Sequence, residues 1–352
     1  MENPLNETAN AAYEQRMIDL KLKDRERFEA VSRSLLKRAW DLLPESVRRS
    51  RALQKAKAAH LGSKAKAEHQ YARVCMMSFM NYMLNRTLEL PANADGEYLA
   101  GAKKVLEQFI PGASGGPLSQ ETLYGKQLYD RIESGGGHYE FEGKRLGKNV
   151  FAPEVFLHHH GLKLLPKSIV SQVRQGSILD VGAGMGDSAV VLSDYTDGNV
   201  YSFECDDANL SDLDKNVQLN GLKNVRPIKA AVGLENGLLK FDTFPRDFYF
   251  HHKPQDGMRI QTSSLDFLCK ENGIKKVSCI KMDIEGFELE ALQGAAGIIA
   301  AGKPVIIASV YHTGKDFFGI PLFLEKLNLD YRFRLVFLND EPPTKEVNLI
   351  AY

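Results

Sequence analysis

Two stretches in the second half of the chain carry residue types that could do chemistry. The first, "SILDVGAGMGDSAVVL" (Ser177–Leu192), is an apolar run that breaks into three glycines, Gly182, Gly184 and Gly186, and then resumes with helical spacing after Asp187 and Ser188. Glycine permits positive φ and lets the backbone approach a ligand closely. In an open α/β sheet, ligands lie beyond the carboxyl ends of the strands, so such a turn after a strand suits a nucleoside cofactor. Phosphate is disfavoured. Counted from Gly182, a dinucleotide fingerprint needs a small third residue where Asp187 stands, and the Gly143-Lys144 pair is followed by Arg145 rather than a P-loop hydroxyl.

The second stretch is "IKMDIEGFELEALQGA" (Ile280–Ala295). Read as a strand, it places Lys281, Asp283 and Glu285 on one face and Ile280, Met282 and Ile284 on the other. Charges in a buried parallel strand are costly unless paired or functional. A Lys281–Glu285 structural pair would account for part of this charge. His312 follows the next strand, so Asp283, Glu285 and His312 are the candidates for removing a proton from a substrate. An Asp-Glu-His set also suits a divalent metal, an option left open but not favoured. The triple His158-His159-His160 would point three ways on a helix, and packing is expected of it rather than ligation.

The elements that must position these residues alternate. "SILDV", "NVYSFE", "NVRPIKAAVG", "VSCIKMDIEG" and "PVIIASVYH" are β-rich runs separated mostly by helical patterns, which implies right-handed βαβ units and a parallel sheet. "YRFRLVFLND" and "EVNLIAY", joined by a short Pro-containing turn, should form an antiparallel hairpin on that sheet. The expected organisation is a helical region over residues 1–115, a linker and β-hairpin over 116–150, and an α/β domain over 151–352. An aromatic loop, Phe244–Gln255, could cover an acceptor.

Beyond single stretches, the chain resembles a known family. The D-x-G-x-G-x-G run from Asp180 is similar to the first motif of class I S-adenosylmethionine-dependent methyltransferases. The run from Lys281 through Asp283, Glu285-Gly286 and Glu288 resembles the signature of FkbM-type methyltransferases. "SFECDDANLSDLDKNVQLNGLKNV", "TSSLDFL" and "YHTGKDFFGIPLFLEKLNLDYRFRL" extend the resemblance over about Phe151–Tyr352. It implies a doubly wound, mostly parallel seven-stranded Rossmann-like sheet of order 3-2-1-4-5-7-6. It also implies methyl transfer from S-adenosylmethionine to a hydroxyl of a sugar, glycan or secondary metabolite. The cofactor's amino group, sulfonium and ribose favour nearby carboxylates, so Asp180, Glu204, Asp187, Asp283, Ser188 and the three glycines become its expected contacts. Glu204, 24 residues after Asp180, would take ribose hydroxyls. Where many members carry an acid before the strand-five histidine, this chain has Tyr311.

Composition narrows the classes. The 352 residues carry no net formal charge and are 43% hydrophobic, which excludes a disordered chain or a generally basic nucleic-acid binder. Residues 1–75 hold 16 basic and 10 acidic side chains, a charge of +6 against −6 for the remainder. This basic helical arm reads as a docking or homo-oligomer bundle, or as a surface that captures an anionic, glycan-linked acceptor. The four cysteines are scattered, and neither a signal peptide nor a transmembrane run is evident, so a cytoplasmic protein is expected. Two rival readings are a cofactor-fold scaffold working through its helical arm, and an NAD-dependent oxidoreductase, which the Asp187 misfit opposes.

Overall fold

In a computed structural model, the structure describes residues 90–107, 133–147, 153–240, 259–338 and 346–352. All of them fall within one unit, Tyr71–Asp242 with Arg246–Tyr352. The N-terminal helices expected before residue 90 and the Phe244–Gln255 loop lie outside the described residues.

In chain order the elements are α1 (Gly96–Glu107), a three-stranded sheet of β1 (Glu133–Gly135), β2 (His138–Phe141) and β3 (Lys144–Gly147), then α2 (Pro153–His158) and α3 (Lys167–Arg174). Next come β4 (Ser177–Val181), α4 (Asp187–Leu192), β5 (Val200–Glu204), α5 (Asp207–Leu219) and β6 (Val225–Lys229). A second small sheet follows, of β7 (Ala231–Val232), β8 (Gly237–Lys240) and β9 (Arg259–Ser263). The chain continues with α6 (Leu265–Glu271), β10 (Val277–Met282), α7 (Glu288–Gln293), α8 (Ala296–Gly302), β11 (Val305–Ser309), α9 (Gly314–Lys326), β12 (Phe333–Phe337) and β13 (Val347–Ala351).

The main sheet has the order β12-β13-β11-β10-β4-β5-β6. The five strands β4, β5, β6, β10 and β11 run parallel, and β12 and β13 form the antiparallel hairpin at one edge. Counted along the chain within this sheet, that is the expected 3-2-1-4-5-7-6. One run differs from its sequence reading. "NVRPIKAAVG" divides between β6 and β7, and β7 leaves the main sheet to pair with β9.

Strand alternation builds a core on each face. Leu179, Val181, Phe203, Ile280 and Met282 join one apolar cluster, while Ile178, Val200, Cys279, Val305 and Ile307 join the other. The central strands β10 and β11 are buried at every position, as sheets covered on both faces require. Helix starts are fixed locally. Asp206 accepts from the backbone N–H of Ala208 and Asn209 ahead of α5, and Thr313 accepts from that of Asp316 ahead of α9.

Packing crosses the expected boundary at residue 151. Tyr98, Ala102 and Val105 of α1 belong to the first core cluster, and Asn93 Nδ2 donates to the Tyr331 carbonyl at 2.8 Å. From the hairpin, Phe141 and Leu146 enter the second cluster, and the Gly147 amide donates to Asn216 Oδ1 at 2.8 Å. Among the described residues no helix is long and apolar enough to cross a membrane.

Candidate functional site

The glycine turn leaves the carboxyl end of β4 and touches the end of β10. Gly182 has φ 71°, and a Cβ built there would run into the Asp283 carbonyl oxygen, so the close approach of the two chains requires glycine. The Asp283 amide donates to the Val181 carbonyl at 3.0 Å and locks the same junction. Gly184, at φ 50°, has open space beside it, and its amide donates to Glu204 Oε2 at 2.9 Å. Gly186, with φ 87°, sits against Leu213 of α5.

Glu204 ends β5 and is buried. Its Oε1 accepts from the amides of Cys205 and Asp206, both at 2.8 Å. Oε1 is thereby filled, and the remaining acceptor capacity lies on Oε2, beside the Gly184 opening. Asp187 and Ser188 begin α4. Ser188 is buried, and Asp187 is half-buried with its carboxyl pushed up, first by burial and also by Asp283, against the pull of Lys281.

Below the turn lies a sealed charge pair. Register sets Asp180 of β4 directly beside Lys281 of β10 on one flank and Ser202 of β5 on the other. Lys281 Nζ lies 3.3 Å from Asp180 Oδ1 and donates to the Gly182 carbonyl at 3.1 Å. This corrects the sequence-based pairing of Lys281 with Glu285, because the cross-strand neighbour at the same level is nearer than a residue beyond the strand end. Burial pushes the Asp180 carboxyl up to about 6, with Lys281 opposing and Asp187 adding to the rise. Burial also works against the Lys281 cation, but Asp180, then Asp283 and Asp187, outweigh it and raise its pKa. The lysine faces three carboxylates whereas Asp180 has one cation, so both move upward.

The second acidic cluster is made by a turn rather than by strand alternation. β10 ends at Met282, and Glu285 lies beyond it at φ 60°, followed by Gly286 at φ 99°. The expected face shared by Lys281, Asp283 and Glu285 therefore ends with the strand. Asp283 and Glu285 still converge, because His312 follows β11 and reaches both. Its Nε2 is 3.4 Å from Asp283 Oδ1 and 3.4 Å from Glu285 Oε2. The two carboxylate side chains are 26% and 30% exposed against 3% for His312, so a ligand meets the acids first, with the imidazole behind them. The Tyr311 ring lies against the His312 ring at 4.1 Å between centroids.

Glu288, a part of the sequence signature that was not among the candidate site residues, proves central. Fully buried at the start of α7, it accepts from the amides of Ile284 at 2.8 Å and Gly286 at 2.9 Å, and its Oε1 lies 2.9 Å from His312 Nδ1. Burial disfavours the His312 cation, but Glu288, Glu285 and Asp283 together raise its pKa well above the ordinary histidine value. Burial likewise opposes the Glu288 anion, and His312 with the Ile284 amide brings its pKa below the usual carboxylate value. Next to this pair, burial and then Glu288 push buried Asp316 up to about 7. The sequence signal for Glu288 was its place just after a Glu-Gly turn, where a carboxylate can fold back on the turn amides.

Among the described residues, Asp283, Glu288 and His312 offer ligand atoms within 4.8 Å of one another, a different set from the Asp283, Glu285 and His312 of the unfavoured metal reading. Both Glu288 oxygens already accept amide hydrogen bonds, and one also faces the imidazole, so this donor set is satisfied as an ion-paired cluster. The histidine triple behaves differently from a continuous helix. His158 ends α2, and His159, His160 and Gly161 all take positive φ. His159 Nδ1 is 2.7 Å from the Tyr195 hydroxyl, while the buried His160 Nε2 has no hydrogen-bond partner among the described residues.

Comparison with known proteins adds an independent finding. Residues 180–334 match the family model described as the methyltransferase FkbM domain. The hexuronic acid methyltransferase AglP of Haloferax volcanii is 28% identical over 151 residues, which cover 42% of this chain and 61% of that protein's length. A crystal structure of methyltransferase FkbM from Methylobacillus flagellatus KT aligns at 22% identity over 51% of this chain and 44% of its own, with a TM-score of 0.41. The wild-type Trm5b structure from Pyrococcus abyssi aligns at 15% identity over 62% of this chain and 55% of its own, with a TM-score of 0.36.

Proposed function

Because residues 180–334 belong to the FkbM methyltransferase family, we propose that the chain transfers a methyl group from S-adenosylmethionine to a hydroxyl of a sugar-containing acceptor. The observation that carries this reading is the meeting of two turns. A glycine turn with an acid at the next strand end touches a turn whose half-exposed Asp283 and Glu285 stand over His312.

The site chemistry fits the cofactor. Glu204 Oε2, next to the open side of Gly184, would accept from a ribose hydroxyl. Asp187 and Asp283 give this end a negative field suited to an amino group and a sulfonium, whereas Asp180, expected as a contact, is buried and matched by Lys281. The Lys281 cation is held by Asp180 and the Gly182 carbonyl, which leaves it committed to the turn rather than to a phosphate. Bound there, the cofactor would supply an electrophilic methyl group and be left as a neutral thioether.

The chain's own residues then orient the acceptor and move its proton. Asp283 and Glu285 accept hydrogen bonds from neighbouring hydroxyls of the sugar and fix the nucleophilic oxygen. Above its raised pKa, where the imidazole is neutral, His312 Nε2 would take the proton of that oxygen as it is methylated. Alignment of this kind supplies up to about 7–11 kcal/mol of the barrier. Proton removal contributes roughly 10²–10⁴-fold. A hexuronic acid is acted on by the relative AglP according to its name, and this supports a sugar as the acceptor class.

The test compares wild type with His312→Asn, whose amide can still donate where Nδ1 does but has nothing at the Nε2 position. Transfer of labelled methyl from S-adenosylmethionine to glucuronic acid, glucose and their nucleotide-linked forms should fall about 10²–10⁴-fold. Calorimetric binding of the cofactor should stay within about threefold, a shift under 1 kcal/mol. Unchanged transfer by the variant would remove His312 from the reaction.

A further inference from the structure

We infer that Glu288, which lies entirely out of reach of solvent, is the positioning residue of the reaction: it holds His312 with Nδ1 protonated and Nε2 open to the acceptor. The inference rests on His312 being the proton acceptor.

The geometry leaves Glu288 little choice of conformation. Its Oε1 is shared between the Ile284 amide and His312 Nδ1, and its Oε2 takes the Gly286 amide. Both amides can only donate, so the carboxylate must accept from each, and it presents an acceptor to Nδ1. A neutral imidazole carries one N–H. With Nδ1 donating to Glu288, the lone pair falls on Nε2, the nitrogen that faces Asp283 and Glu285. An Nε2–H tautomer would set the Nδ1 lone pair against a buried carboxylate at 2.9 Å, closer than the 3.4 Å from Nε2 to either half-exposed outer acid, so the nearer contact decides.

The same contacts tie the base to the acceptor carboxylates. Ile284 and Gly286 belong to the turn that carries Asp283 and Glu285, so one side chain sets the height of both acids and the direction of the imidazole. A Cβ on Gly286 would meet Thr313 Cγ2 at 2.8 Å, which places the turn directly on the residue after His312. The charged groups around His312 are Asp283, Glu285 and Glu288 from the turn and α7, and Asp316 and Lys315 from α9. Lys315 is engaged by Glu290 at 2.6 Å and by the Gly286 carbonyl at 3.0 Å. Tyr311 closes one ring face of His312 and donates its hydroxyl to Glu346 at 3.3 Å.

The experiment is nitrogen NMR of the full chain with ¹⁵N-histidine, with the His312 signals identified by their loss in His312→Asn. In wild type, the form that appears above the titration midpoint should be the Nδ1–H tautomer alone. In Glu288→Gln the two tautomers should mix, and the midpoint should fall toward the ordinary value of about 6.5. Glu288→Asp should recover part of the single-tautomer signature. An Nε2–H tautomer in wild type would overturn the inference without any variant, and so would a Glu288→Gln spectrum identical to wild type. Neither result depends on turnover. Full methyl transfer by His312→Asn would instead remove the reading beneath the inference while the tautomer result stood.

Discussion

Two charged centres, one within the sheet and one just past the end of β10, are built in opposite ways. Asp180 and Lys281 face each other across β4 and β10 in the middle of a covered sheet, fixed by register and closed to solvent. Asp283, Glu285, Glu288 and His312 lie just past the strand ends, held by a positive-φ turn and open on the side of the two outer acids. The first centre keeps its charges by matching one cation to one anion and a backbone carbonyl. The second gathers three carboxylates around one imidazole and leaves capacity for hydrogen bonds from outside. A buried pair of the first kind holds a turn in place, whereas a cluster of the second kind can bind and exchange protons.

The sharpest way to break this contrast is Lys281→Met. It leaves Asp180 buried without its cation and releases the Gly182 carbonyl, so unfolding stability in urea should fall by about 3–5 kcal/mol. The double change Asp180→Asn with Lys281→Met should recover most of the loss. A single variant as stable as wild type would mean that the pair is not structural.

A smaller effect is expected at the rim. Glu204→Gln removes the charge from the carboxylate beside the Gly184 opening, and a hydrogen bond to a charged group is worth about 1.5–3 kcal/mol. Calorimetry should find S-adenosylmethionine binding weakened roughly 10–100-fold, with far less loss of stability than at Lys281. Undiminished affinity would take Glu204 out of the cofactor site.

The smallest expected effect separates the acids around the open centre by pH. Asp316 is raised to about 7 from an ordinary carboxylate value, so its contribution to stability is complete below about 4 and is lost as pH rises through 7. Asp316→Asn should abolish that loss, raising the melting temperature at pH 8 by about 2–4 °C, or about 1 kcal/mol, with no gain at pH 4. An equal shift at both pH values would show that ionisation of Asp316 is not the cause. His312 follows the same sign. With its pKa raised, the imidazolium stabilises the fold below about 6.5, and that stabilisation fades as pH climbs through the higher folded value.

Much of the first centre was legible in the sequence. The glycine spacing from Asp180 to Gly186, the acid at Glu204 and the strand alternation predicted a glycine turn with an acid beside it at the end of a parallel strand, because strand and turn chemistry are local. The partner of Lys281 was not legible, since it depends on the register between β4 and β10, which sets Lys281 level with Asp180, about 100 residues earlier in the chain. The second centre was legible in residue types but not in shape. Period-two reasoning carried Glu285 along a strand face that had already ended, and the φ of 60° at that residue brings it back to His312 by a different route. Glu288 escaped because nothing in the sequence says that a glutamate after a glycine turn will face inward to an imidazole contributed by the next strand.

The contact of Gly182 with the Asp283 carbonyl has a further consequence. The backbone of the glycine turn and the backbone that carries Asp283 and Glu285 meet where Gly182 has no side chain, and an amide from one donates to a carbonyl of the other. There is no compressible layer at that seam. On the proposed function, cofactor and acceptor would share this one ledge, so a side chain introduced at Gly182 would disturb both at once.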